Sequence, residues 1–203
     1  MRDLIVIGAL AAALASVAGC AALAPDALPS AEAAVATATP ALPPAPVLRL
    51  PPASLGRQLA LQQRIVVRYR TPDGEASREL LTLLQADASH TRLAAIAGSQ
   101  VLARLDWDGE ALNITRAPWA PAELAPERIL SDLQLALWPA DAIAHALPAG
   151  WTLDASAESR VLRYGETPVV ELAFPGDGAT DLIHRRDGYA LTIRPLQQSD
   201  IPR

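Results

Sequence analysis

Gln58-Leu59-Ala60-Leu61-Gln62-Gln63-Arg64-Ile65-Val66-Val67-Arg68-Tyr69-Arg70 decides the fold class of this chain. Leu59, Leu61, Ile65, Val67 and Tyr69 occupy alternate positions, with Gln58, Gln62, Arg64, Arg68 and Arg70 on the others. A period of two sends these sets to opposite faces of an extended backbone, so the stretch reads as a half-buried antiparallel strand. It runs into Thr71-Pro72-Asp73-Gly74, where proline presets φ and glycine accepts a positive one, and a turn is expected.

The same period continues downstream. Strands are predicted over Ser77 to Gln85, Thr91 to Ala97, Val101 to Trp107 and, after Asp108-Gly109, Ala111 to Arg116, which makes a meander of hairpins. The spacing then changes. Pro126 suits a first helical position, Glu127 complements the positive end of a helix, and Ile129, Leu130, Leu133 and Leu137 form a stripe at helical spacing beside Trp138, before Pro139 stops the run. A short second helix is expected over Ala140 to Leu147, ahead of Pro148-Ala149-Gly150. Period two then resumes in Trp151 to Ala155, Arg160 to Tyr164, Pro168 to Phe174, Asp181 to His184 and Tyr189 to Ile193. The expected fold is mainly antiparallel β with a helical insertion (α+β). It is a single sheet of about nine or ten strands with helices against one face, and such layers can leave a groove between them.

Upstream of Gln58 the composition shifts. From Ala21 to about Pro52 the chain is alanine and proline, with eight of the 18 prolines. Proline lacks the amide donor and disfavours helix in the residue before it, so this segment reads as a semi-stiff tether. Before it, Leu4 to Val17 is an apolar run of signal-peptide length, too short to span a bilayer, closed by Val17-Ala18-Gly19-Cys20. Those four residues resemble the lipobox of bacterial lipoproteins, which implies cleavage before Cys20 and lipid attachment to its thiol. Burial of two or three acyl chains, at roughly 0.8 kcal/mol per methylene, gives stable anchoring. Ala21 follows, where an aspartate would favour the inner membrane, so the expected place is the outer membrane with the domain facing the periplasm. The chain divides into a leader at 1–19, a lipidated start and tether at 20–52, one β-rich domain at 53–197 and a tail at 198–203.

Composition limits the chemistry. All 17 basic residues are arginine, which removes Schiff-base lysines and a P-loop lysine. The single cysteine removes internal disulfides and cysteine-based zinc sites. A net charge of −5 without a basic block argues against nucleic acid as a partner. His90, His145 and His184 form no ligand pair, no Gly-x-Ser-x-Gly elbow occurs, and Asp106-Trp107-Asp108-Gly109-Glu110 lacks the later ligands of a calcium loop and reads as a hairpin turn. His184, beside Arg185 and Arg186, reads as a solvated strand-end histidine, and the arginines at 64, 68 and 70 as a solvent face. No enzyme, metal or cofactor is expected.

Several stretches carry a family resemblance: Leu50-Pro51-Pro52-Ala53-Ser54-Leu55-Gly56-Arg57, Asp132-Leu133-Gln134-Leu135-Ala136-Leu137-Trp138-Pro139, Leu147-Pro148-Ala149-Gly150-Trp151 and Gly188-Tyr189-Ala190-Leu191-Thr192-Ile193. Together they resemble a domain-of-unknown-function family of bacterial lipoproteins encoded in aryl-polyene-type gene clusters, which in turn looks similar to the lipoprotein carrier LolA and receptor LolB. That resemblance implies an open half-barrel with a helical lid that shelters acyl chains. It makes Leu61, Ile65, Val67, Tyr69, Trp107, Leu133, Leu137 and Trp138 the candidate wall for a hydrophobic ligand such as an acyl chain, lipid or aryl-polyene conjugate. The competing expectation is an envelope module with a filled core that docks onto a biosynthetic or transport complex.

Overall fold

The computed structural model describes residues 42–121 and 124–199, all within one compact unit. The leader, Cys20, most of the tether and the last residues of the tail lie outside the described residues. After a 3-10 turn at Pro52–Leu55, the alternating stretch forms β1 (Leu59–Thr71), which turns at Pro72-Asp73 into β2 (Gly74–Ala86). The meander continues through β3 (Thr91–Ala97), β4 (Gln100–Trp107) and β5 (Leu112–Arg116). Two helices follow, α1 (Pro126–Leu137) and α2 (Ala140–Ala146). The second meander is β6 (Trp151–Ala155), β7 (Ser159–Tyr164), β8 (Thr167–Ala173), β9 (Thr180–His184) and β10 (Tyr189–Ser199).

All ten strands join one antiparallel sheet in the order β5-β4-β3-β2-β1-β10-β9-β8-β7-β6. The first and last strands therefore meet in the middle, and each half is a plain meander running out to its own edge. β5 and β6 are those edges and do not pair with each other, so the sheet is open. The helices carry the chain from one edge to the other. β10 runs to Ser199, and its Gln198 and Ser199 pair with Leu61 and Ala60 of β1, so two residues assigned to the tail belong to the sheet.

Register lines up the inward residues. Leu105, Leu93, Leu84 and Leu61 form one row across β4, β3, β2 and β1. Leu182, Leu191, Val67 and Arg78 form another across β9, β10, β1 and β2. The leucine row with α1 laid over it makes the core, while the second row runs from buried Leu182 out to exposed Arg78. Leu130, Leu133, Leu84, Leu182, Val169 and Val170 are all but inaccessible, each side chain worth about 1.5–3 kcal/mol in burial. α1 begins without a side-chain cap but with Pro126 in its first turn, and Trp138 and Pro139 end it. Arg160 donates to the Leu135 carbonyl (2.6 Å), placing a cation at the negative end of the helix. Gly150, at φ 85, precedes β6, where a Cβ would stand 2.9 Å from the Tyr164 ring.

The tether assignment fails at its C-terminal end. Residues 42–51 are a strap running alongside α1, with Ala45, Leu48 and Leu50 buried and Val47 and Arg49 exposed. Prolines rule out helix and sheet here, yet alternation still buries every second or third residue. The strap's polar backbone is satisfied by helix side chains. Ser131 Oγ accepts from the Leu48 amide (2.9 Å), and the Gln134 side chain accepts from the Leu50 amide (3.1 Å) and donates to its carbonyl (3.3 Å). Arg128 donates to the carbonyls of Ala45 (2.9 Å) and Pro46 (3.3 Å). Gln134 thus serves as a neighbouring strand would, which is why a buried amide is tolerated mid-helix.

Candidate functional site

β1 and β2 are 13 residues each, longer than the ground covered by the strap and α1. Burial along β1 is complete to Ile65 and then fades toward Thr71. Beneath the N-terminal half of α1 the layers consequently part. A cavity of about 750 Å³ opens there, within the size range of small-molecule sites. Its floor is Ile65 and Val67 of β1, Leu80 of β2, and Leu191 and Ile193 of β10. Ile129 and Leu133 of α1 form the roof, and Pro121 and Leu124 of the preceding loop close one side. Most of the lining is hydrocarbon.

One end is polar. Asp132, on the cavity side of α1, accepts from His184 Nε2 at Oδ1 (3.0 Å) and from the Tyr189 hydroxyl at Oδ2 (3.0 Å). The tautomer follows from that assignment: the proton sits on Nε2 when His184 is neutral. His184 Nδ1 is buried with no hydrogen-bond partner, and Asp187 Oδ2 stands 3.7 Å away. The His184 and Tyr189 rings stack at 4.2 Å. Burial first, then the Asp132 charge, pushes the Tyr189 hydroxyl far above its ordinary range, so it stays protonated and donates to Asp132.

His184 is therefore not the solvated residue its neighbours suggested. Its side chain is about 1 % exposed, because the inward period Thr180, Leu182, His184 overrides the adjacent arginines, which point outward. Arg185 instead pairs with Glu171, and that ion pair holds the Glu171 carboxyl below its usual range. Asp132 was a signal too: a carboxylate between Ile129 and Leu133 on the helix's apolar stripe requires a partner.

The eight candidate wall residues divide evenly. Ile65, Val67, Tyr69 and Leu133 line the cavity. The other four belong to the core around it. Leu61 sits in the inward leucine row, and Trp107 donates from Nε1 to the Leu50 carbonyl (2.8 Å) beneath the strap. Trp138 is fully buried, and Leu137 packs against the same cluster. The hollow lies beneath the first half of the helix rather than its Trp138 end. Residues unforeseen as lining include Leu80, Leu191, Ile193, Arg78 and Asp132. The arginines at 64, 68 and 70 are all exposed, and Arg70 also reaches the cavity rim.

The calcium-like segment is a turn. Asp108 Oδ1 accepts the amides of Ala111 and Glu110, which lower its pKa, and Asp106 bonds His90 and Arg92. Among the described residues no three metal-type ligands come together.

Fold and site define a protein with an open ten-stranded antiparallel sheet, a helix across its inner face and an apolar cavity between them. The chain belongs to the family described as Protein of unknown function (DUF3261), which matches residues 60–197. That match runs from β1 into β10, so it takes in both helices and leaves the strap outside. No curated protein matches the sequence.

Proposed function

We propose that this protein is an outer-membrane lipoprotein that shelters a hydrophobic ligand, an acyl chain, lipid or aryl-polyene conjugate, in a half-barrel of the LolA/LolB type. One observation carries the reading: the cavity of about 750 Å³ between α1 and the overhanging halves of β1, β2 and β10. A chain sheltered there gains on the order of 25 cal/mol per Å² of apolar surface removed from water. Transfer then requires only that the chain leave one apolar environment for another, with no covalent step. Among the described residues no helix is long and apolar enough to cross a membrane, so attachment in this reading falls to lipid on Cys20.

Native mass spectrometry of protein extracted from its own membrane tests the proposal. The expected result is a bound lipid or polyene that leaves on collisional activation. Protein that is repeatedly empty, and that does not take up an added acyl probe, overturns it in favour of a docking module in an envelope complex. Cys20→Ser is expected to move the protein from the membrane fraction to the soluble periplasmic fraction.

A further inference from the structure

The described arginines divide by whether a carboxylate pairs with them. Arg92, Arg163, Arg185, Arg186 and Arg194 each pair with a carboxylate. Two arginines reach the cavity from its inner surfaces, Arg78 of β2 and Arg128 of α1, and neither has a carboxylate partner among the described residues. Arg78 ends the inward row Leu182, Leu191, Val67, Arg78, so its guanidinium stands where the apolar floor stops. Its Nε donates to the Tyr69 hydroxyl (2.9 Å), which leaves both terminal nitrogens uncommitted. Arg128 is spent on strap carbonyls, yet its full charge remains.

Three carboxylates line the cavity beside three arginines, and none of them bonds Arg78. Asp132 is engaged by His184 and Tyr189, and Asp187 by Arg186. Glu79 and Arg70 reach the cavity from the outward registers of their strands, opposite Val66 and Glu75. The inner surface thus presents a hydrocarbon trough with the exposed Arg78 guanidinium, bonded to no carboxylate, at its end. The remaining edge between its two terminal nitrogens fits a carboxylate or phosphate in a bidentate arrangement.

We propose that the cavity selects amphiphiles with an anionic end, a carboxylate or a phosphate bonded by Arg78, with the hydrocarbon lying over Val67, Ile65 and Leu191. The inference rests on the hydrophobe-binding reading and adds the polar chemistry of the ligand. Arg128 contributes a second positive charge from the roof, and Tyr69 fixes the plane of the Arg78 guanidinium.

The test compares oleate, oleoyl lysophosphatidic acid and oleyl alcohol by calorimetry on the chain from residue 20 with Cys20→Ser, which needs no detergent. Both anions are expected to bind about tenfold tighter than the alcohol, the worth of one charge-assisted hydrogen bond. Arg78→Gln brings the three to within about twofold, and Arg78→Lys, which keeps the charge without the planar fork, restores only part of the preference. Equal affinity for oleate and the alcohol in the unaltered protein overturns the inference and spares the hydrophobe-binding reading. An anion preference untouched by Arg78→Gln overturns the assignment of the site. Inorganic phosphate that displaces oleate at equal concentration marks a free-anion site and also overturns it. If none of the three amphiphiles binds, this inference and the hydrophobe-binding reading fall together.

Discussion

His184 Nε2 and Asp132 Oδ1 lie 3.0 Å apart, with the two side chains about 1 % and 5 % exposed. This pair ties the end of β9 to the middle of α1, and the Tyr189 hydroxyl on the other carboxylate oxygen ties in β10. The lid over the cavity is thus held to β9 and β10 by a polar pin.

Removing the centre of that pin leaves two buried donors unsatisfied. Asp132→Ala is expected to cost about 3 kcal/mol or more in urea unfolding, the usual size for breaking a buried charged pair. The double variant Asp132→Leu with His184→Leu should recover much of that loss, since an apolar pair asks for no partner. If Asp132→Ala unfolds at the same urea concentration as the parent, the pin does not stabilise the lid.

Strap and linker make opposite demands on Leu50. As a core residue, Leu50→Ala is expected to cost about 2–5 kcal/mol, whereas exposed Val47→Ala stays within about 0.5 kcal/mol. Chemical denaturation of both variants checks this. Indistinguishable midpoints for the two would return the segment to a tether.

Cavity and core residues separate in a binding assay. Val67→Trp, which fills the hollow from its floor, is expected to cut the affinity for an apolar fluorescent probe at least about tenfold. Trp107→Phe, beneath the strap, should destabilise the fold by about 1 kcal/mol through loss of the Nε1 hydrogen bond to the Leu50 carbonyl and leave probe affinity unchanged. Equal effects on binding would show that the cavity is not where the probe resides.

Alkaline pH tests Tyr189. Its folded pKa is raised above the unfolded value, so the stability it contributes is complete below that unfolded value and declines as pH rises past it. The unfolding midpoint is expected to fall between about pH 9 and 11, and Tyr189→Phe to flatten that fall. The chain has no lysine, so the amine titration that crowds this range in other proteins is missing. A parent midpoint constant across the range contradicts the burial argument.

Acid exposes the converse case in Glu171. The hydrogen bond from Arg185 depresses its folded pKa, so its contribution is complete above the unfolded value, about pH 4.3, and lost as pH falls through the folded one. Chemical-shift titration should find Glu171 below that reference, and Arg185→Gln should return it upward.

Element order and strand period were legible in the sequence because they are local. Leu59 to Tyr69 alternate whatever lies above them, and the Ile129–Leu137 stripe turns at helical spacing before any sheet exists. Burial of α1 was not local. Ser131, Asp132 and Gln134 are polar, yet all three are buried because strap, β9 and β10 enclose them. His184 misled for the same reason: Arg185 and Arg186 are its neighbours along the chain, while Asp132, 52 residues away, is its neighbour in space.

By itself the sequence determined an antiparallel, helix-interrupted β domain, since two-residue and 3.6-residue periods are properties of the backbone's own geometry. Only the tertiary structure decided which inward residues meet a lid and which meet a hollow. Val67 and Leu61 have the same register and the same apolar character, yet one lines a cavity and the other is sealed in the core. What separates them is how far α1 and the strap extend over β1, and that depends on contacts between segments the chain itself keeps far apart.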